Sequence, residues 1–226
     1  MTGDGRQPGA RNATLPIPEG LEYTRDGVRT RRIPRCEGCW LHTHLCVCGD
    51  LPRLTVKTRV VIVMHHVELR RSSNTGRIAA RILGADIHLR GLQTGSDAPP
   101  LESNVQGGRR LVLFPAENAR LLTAADADEN LTLVVPDGNW KQASRALHRD
   151  PAARGAEVVT LPPGLPSRYR LRKRTNSSAL STFEAIVRAL SIVEGPWVEE
   201  PMMRAFDLFV ERTLFVRGGV AADGYD

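Results

Sequence analysis

An α/β fold, with a mostly parallel sheet covered by helices on both faces, follows from three features of this chain. Short runs rich in Val, Ile and Leu recur along it, as buried strands require. Between them lie segments with helical periodicity. The two kinds of segment alternate, and alternation builds parallel sheets through crossover connections. The chain has 226 residues, 41% of them hydrophobic. That is enough for one such domain with a sizeable core and a small appendage.

Residues 1–33 are rich in Gly, Pro, Arg and Asn and show no apolar periodicity. They read as a mobile basic tail. Residues 34–54 read as a separate metal-binding element, and 55–226 as the α/β domain. The first strand is 58–66 (TRVVIVMHH), a β-branched run. Residues 74–83 (NTGRIAARIL) read as a helix capped by Asn74 or Thr75. Short strands follow at 86–89 and at 109–114 (RRLVLF), the second stopped by Pro115. Residues 116–127 read as a helical stretch. Residues 131–135 (LTLVV) read as a strand, then a turn, Pro136-Asp137-Gly138-Asn139, then a helix over 140–148. A strand at 157–161 (EVVTL) leads into a Pro/Gly/Arg-rich loop over 162–174. Leu180, Phe183, Ile186, Val187, Leu190 and Val193 mark a helix over 178–194. Met202, Phe206, Phe209, Val210 and Leu214 mark another over 201–216. In parallel sheets, ligands bind beyond the carboxyl ends of the strands. The loops after Phe114, Val135 and Leu161 are therefore the candidate binding loops.

No run of about 18 apolar residues is present, which excludes a helical membrane span. The first residues contain no apolar stretch of a secretory signal, so a reducing, cytoplasmic setting is expected. The net charge is +6, which favours a nucleic-acid partner. Lysine occurs only at Lys57, Lys141 and Lys173; arginine carries the remaining positive charge. Arginine suits phosphate through its planar fork, although GC-rich codon usage produces the same bias.

All four cysteines fall in one segment: Cys36, Cys39, Cys46 and Cys48. A C-x2-C pair grips a metal from a tight turn, and the C-x-C pair returns to complete a tetrahedron. Structural Zn2+ is the expected occupant, with an iron–sulfur cluster as the rival. His42 and His44 lie between the pairs as substitute ligands.

With these stretches in hand, the chain resembles the DTW-domain family of tRNA-uridine aminocarboxypropyltransferases, which is related to the SPOUT transferases. The resemblance rests on the cysteine set and four further segments: MHHVELRRSSNTGRIAARIL at 64–83, FPAENA at 114–119, PDGNWKQA at 136–143 and SRYRLRKRTNSSALSTFEAI at 167–186. The motif that names the family, Asp-x-Thr-Trp, reads Asp137-Gly138-Asn139-Trp140 here. The resemblance implies a SPOUT-like mostly parallel sheet with a trefoil knot in the C-terminal half. It implies S-adenosyl-L-methionine as co-substrate and tRNA as partner. It also implies transfer of the 3-amino-3-carboxypropyl group to N3 of a uridine, with methylthioadenosine released. A SPOUT-type RNA methyltransferase and a non-enzymatic zinc-containing RNA-binding module are the competing readings. Monomer and homodimer both stay open.

These arguments give the candidate residues. Asp137 is the catalytic candidate, as general base or as the group that orients the reactants; a helix cap is its structural alternative. Phe114, Pro115, Asp137, Gly138, Trp140, Leu161, Leu180, Ser181, Thr182 and Glu184 are candidates for holding S-adenosylmethionine. The basic run Arg168, Tyr169, Arg170, Arg172, Lys173 and Arg174 would hold phosphates by its cations and stack a base on its tyrosine. Arg70, Arg71 and Asn74 would extend that RNA surface.

Overall fold

The computed structural model describes residues 34–91, 108–171 and 179–217. The expected tail at 1–33 lies outside the described residues, as do Arg172, Lys173 and Arg174. The sheet has six strands in the order β2-β1-β5-β3-β6-β4. They are β1 (Arg59–His65), β2 (Asp86–Arg90), β3 (Arg110–Leu113), β4 (Arg120–Leu121), β5 (Thr132–Asp137) and β6 (Glu157–Thr160). Every pairing is parallel, so all the strands present their carboxyl ends at one edge.

The strands alternate at period two between the two faces. Ile62, Met64, Leu111, Leu133 and Val135 face the larger core, with α1 (Gly76–Leu83), α3 (Thr182–Val193) and α4 (Glu199–Val216). Val61, Val63, Val112 and Val134 face a smaller cluster with Ala146 of α2 (Trp140–Arg149) and with Ala152 and Ala153. Phe183 and Phe206 stack with ring centroids 5.1 Å apart, joining α3 to α4. The cysteine segment belongs to the larger core as well. Cys39, Leu41 and Val47 are fully buried in it, and Leu54 N–H donates to Ile82 of α1 (2.9 Å). Among the described residues, no helix is long and apolar enough to cross a membrane.

Two expectations need correction. Residues 116–127 are not a helix. They form a turn, the short edge strand β4 and a single 3-10 turn at Ala124–Asp126. Tertiary pairing overrides helical propensity here. Arg120 and Leu121 pair with Val159 and Thr160 of β6, and Leu122 N–H donates to Thr160 (2.8 Å). Asp126 then accepts from Thr123 N–H (2.9 Å) and from Arg120 and Arg109 (both 2.7 Å), which closes the turn at once.

The second correction concerns β5, which continues through Pro136 and Asp137 where a turn was expected. Thr132 N–H donates to the β3 side, at Arg109 (2.8 Å). By strand alternation the Pro136 nitrogen faces that side too. The β3 ladder has already ended, at Val112↔Val134, so no ladder bond is lost to the proline. The extension pairs Met64 with Asp137 and carries the carboxylate to the edge of the sheet.

Candidate functional site

β5 lies between β1 and β3, and β6 lies beyond β3. The three candidate loops therefore leave neighbouring strands side by side. Asp137 sits at the end of β5, 7% exposed. One carboxylate oxygen accepts from Asn74 Nδ2 (2.6 Å) and the other from Thr182 Oγ1 (2.5 Å). Asn74 is itself buried and fixed, because its Oδ1 accepts from Arg77 N–H (3.0 Å). Thr75 Oγ1 accepts from Phe183 N–H (3.3 Å). The starts of α1 and α3 thus meet over one carboxylate, within the favourable field of two helix N-termini. Gly76 permits the approach: a Cβ there would stand 2.7 Å from the Asp137 oxygen.

On the α2 side of the same edge, Trp140 is 59% exposed. Its ring meets Phe114, at the exit of β3, edge-on with centroids 5.7 Å apart. Trp140 is therefore a presented aromatic and not a core residue. Asn139 caps α2. Its Oδ1 accepts from Gln142 N–H (2.9 Å), and Gln142 Oε1 accepts from Asn139 N–H (2.8 Å). The helix cap that Asp137 might have supplied belongs to Asn139, and Asp137 is left for other work. Gly138 leaves room for that Gln142 side chain.

Ser181 caps α3 in the same reciprocal way with Glu184. Glu184 is buried, and it also accepts from Ser167 Oγ (2.8 Å) and Arg168 N–H (2.6 Å). Its oxygens tie the loop after β6 to α3. Leu161 and Leu180 are half-buried beside this junction, and Pro115 is exposed.

The four cysteine sulfurs all lie within 4.8 Å of one another. Cys36 and Cys48 are 3.6 Å apart, and Cys39 and Cys46 are 3.8 Å apart. A tetrahedral ion with metal–sulfur bonds of ~2.3 Å has sulfur–sulfur edges of ~3.8 Å. The donor set therefore fits one metal ion. Sulfurs bound to separate irons of a cluster would stand further apart. Burial pushes the Cys36 thiol up. Hydrogen bonds from the Cys39 and Gly38 backbone and from the Cys46 and Cys48 thiols outweigh it, holding the group down at about 6. Burial pushes Cys46 and Cys48 up. His42 and His44 stand outside this sulfur group, with their own rings 5.8 Å apart.

The metal element and Asp137 share a neighbour that the sequence did not reveal. Arg77 is buried, and its guanidinium lies 5.5 Å from the centre of the Trp40 ring. Burial works against its charge, while the charges of Cys39, Asp137, Cys36 and Cys48 favour it. Trp40 adopts φ 64°, a left-handed conformation that costs a bulky residue ~1–2 kcal/mol. Its stacking on Arg77 accounts for a tryptophan where glycine fits more easily. Arg212 secures the other side, donating to Cys46 O and pairing with Asp50 (3.0 Å).

A DTW domain matches residues 33–214. The chain belongs to the DTW-domain family. It is 26% identical over 183 residues to tRNA-uridine aminocarboxypropyltransferase 2 of Macaca fascicularis, covering 77% of this chain and 61% of that protein. The mouse protein of that name is 26% identical over 197 residues, with 76% and 61% covered. The Drosophila melanogaster protein is 27% identical over 180 residues, with 75% and 71% covered. The chain spans about three-fifths of the length of the macaque and mouse relatives. No solved structure matches.

Within the DTW domain, Asn139 stands at the motif's threonine position. Its work here is to cap α2, which needs a short side-chain acceptor that either residue supplies. Among the described residues proposed for RNA, some are exposed and others are turned inward. Arg70 and Arg71 are exposed, the latter paired with Glu68 (3.1 Å). Asn74 is inside, on Asp137. Arg168 pairs with Asp207 of α4. Tyr169 is half-buried: its ring lies 6.1 Å from that of Phe206, and its hydroxyl donates to Ser73 O (2.6 Å). Arg170 remains exposed. The described part of the basic run is therefore largely spent on packing the loop against α3 and α4.

Proposed function

We propose that this DTW domain transfers the 3-amino-3-carboxypropyl group of S-adenosylmethionine to N3 of a uridine in tRNA. The observation that carries the reading is the Asp137–Trp140 segment, where the central strand β5 passes into α2. A buried carboxylate lies on one side of the sheet edge there, and a presented aromatic pair on the other. The names of the relatives support aminocarboxypropyl transfer to a tRNA uridine; the donor and the N3 position are part of the proposal.

In this reaction N3 attacks the γ-methylene of the sulfonium and gives its proton to solvent water. The carbon–sulfur bond breaks, and methylthioadenosine leaves with the electron pair. The sulfonium is already a good leaving group, so the protein contributes position and field. S-adenosylmethionine would sit among the loops after β3, β5 and β6, against Phe114, Trp140, Leu161 and the start of α3. Asp137 already accepts hydrogen bonds at both oxygens, which favours an orienting role at the junction of α1 and α3. Asp137→Asn keeps both contacts, because the Thr182 hydroxyl can turn to accept. Loss of turnover with S-adenosylmethionine binding intact would then assign the carboxylate to the reacting groups.

We read the four thiolates as a structural Zn2+ site. A four-cysteine site leaves no open position for water and so no catalytic role for the metal. We further propose the SPOUT-like threading of the C-terminal half and a cytoplasmic setting, where tRNA is processed and thiolates stay reduced.

The test supplies purified protein with unmodified tRNA and S-adenosylmethionine labelled in either the methyl group or the carboxyl carbon. Carboxyl label in a uridine nucleoside is expected. Methyl label would make the protein a methyltransferase. Neither label across several tRNAs would leave an RNA-binding module.

A further inference from the structure

We infer that the outer face of α2 is an RNA-backbone docking surface that delivers tRNA to the edge where Trp140 stands. This rests on the proposed function. Lys141, Arg145 and Arg149 recur at four-residue spacing, so they form one exposed stripe ~12 Å long. The helix contains no Asp or Glu and buries Ala143 and Ala146 on its inner side. Among the described residues, none of the three cations has an ion-pair partner. Arg53, Lys57, Arg70 and Arg170 also have none among the described residues, but they do not recur along one face of an α-helix.

Helix physics does not account for this stripe. Like charges four residues apart repel along a helix. Lys141 stands in the first turn, where the helix dipole disfavours a cation; only His148 and Arg149, in the last turn, are favoured by it. An exposed helix with no outside partner ordinarily mixes signs. A polyanion relieves the repulsion, and the stripe begins beside Trp140, 59% exposed and edge-on to Phe114. Cations that follow a backbone, next to an aromatic that takes a base, are the elements of RNA recognition. The face fits a phosphate backbone better than an acidic protein, because the aromatic at its end lies at the candidate site.

The test compares the full chain with Lys141→Ala/Arg145→Ala/Arg149→Ala and with a charge-matched control, Arg53→Ala/Lys57→Ala/Arg204→Ala. Binding of an unmodified tRNA transcript is followed by fluorescence anisotropy across a salt series. The α2 variant should bind at least about tenfold more weakly, and its log–log salt slope should fall by ~2, from three lost contacts at ~0.7–0.9 each. The control should change less than about threefold, and all three proteins should bind S-adenosylmethionine alike and unfold at the same temperature. Equal affinity and slope in the α2 variant, an equal loss in the control, or no tRNA binding by the unmodified protein would overturn the inference. Group transfer is read separately. Transfer with unchanged tRNA affinity in the α2 variant sinks the surface and spares the function. Loss of affinity in a protein that transfers nothing does the reverse.

Discussion

Asn74→Asp is the sharpest probe of the buried junction, because it sets two carboxylates where Asn74 Nδ2 now donates to Asp137 at 2.6 Å. Two like charges at that separation inside a protein cannot both persist, so the pair must hold a proton. The unfolded chain keeps both groups ionised at neutral pH, with ordinary values near ~3.9. Protonating one of them at pH 7 costs about 4 kcal/mol, from ~1.4 kcal/mol per pH unit over about three units. Once protonated, the new acid donates to Asp137, and the remaining geometry survives. The folded state then binds one more proton than the unfolded state. Stability therefore rises as pH falls, by ~1.4 kcal/mol per unit between about pH 7 and pH 4. Adding Asp137→Asn should rescue the variant: the amide at 137 donates to the carboxylate at 74, which still accepts from Arg77 N–H, and Thr182 keeps its acceptor. Urea unfolding of the parent, the single variant and the double variant at several pH values decides the matter. A single variant with flat pH dependence, or a double variant no more stable than the single at pH 7, would refute the placement of Asn74 against Asp137.

Three further outcomes are expected. Asn139→Ala removes the reciprocal cap of α2 and should cost about 1 kcal/mol in urea unfolding, while Asn139→Thr should cost a few tenths at most. Gly76→Ala sets a methyl 2.7 Å from a carboxylate pinned by Asn74 and Thr182, and thermal unfolding should show a loss of ~1–3 kcal/mol despite alanine's better helix propensity. Chelating the metal should lower the unfolding temperature, and metal affinity should weaken as pH falls because each thiol must lose its proton to bind; identical melting curves with and without chelator, for protein shown to contain metal, would remove the structural role.

Much of the sheet was legible because burial writes itself locally. The run at β1 is β-branched because both of its faces are covered, and residues 62 and 64 separate from 61 and 63 by simple alternation. The failures share a cause of the opposite kind. Residues 116–127 carry helix-forming composition, yet Arg120 and Leu121 take their partners from β6, more than thirty residues later. Pro136 looks like a turn residue until the early end of β3 is known. The sequence places Asp137 in a turn just beyond a strand, whereas it is the strand's last residue. Its hydrogen-bond partners are 63 and 45 residues away, and no local pattern announces such distances. A faint signal existed: a glycine in the first turn of a helix, behind Asn74-Thr75, is a poor helix start unless something must come close.

Charge along the chain leaves the task of each cation open, for a physical reason. Counting cations along residues 168–174 treats them as free, whereas Arg168 is committed to Asp207 and Tyr169 lends its ring to the α4 side of the core. Lys141, Arg145 and Arg149 are more widely spaced in the chain and so look weaker on a linear count. On a helix they fall into line, and among the described residues none of the three has a carboxylate partner. What distinguishes a binding cation from a structural one is its neighbour in space, and neighbours are what the fold adds to the sequence. The same reasoning separates Asn139 from Asp137. They stand two residues apart where β5 passes into α2, but the first closes a helix locally while the second faces inward to join α1 and α3. The motif is thus split between a residue that starts α2 and one that β5 delivers.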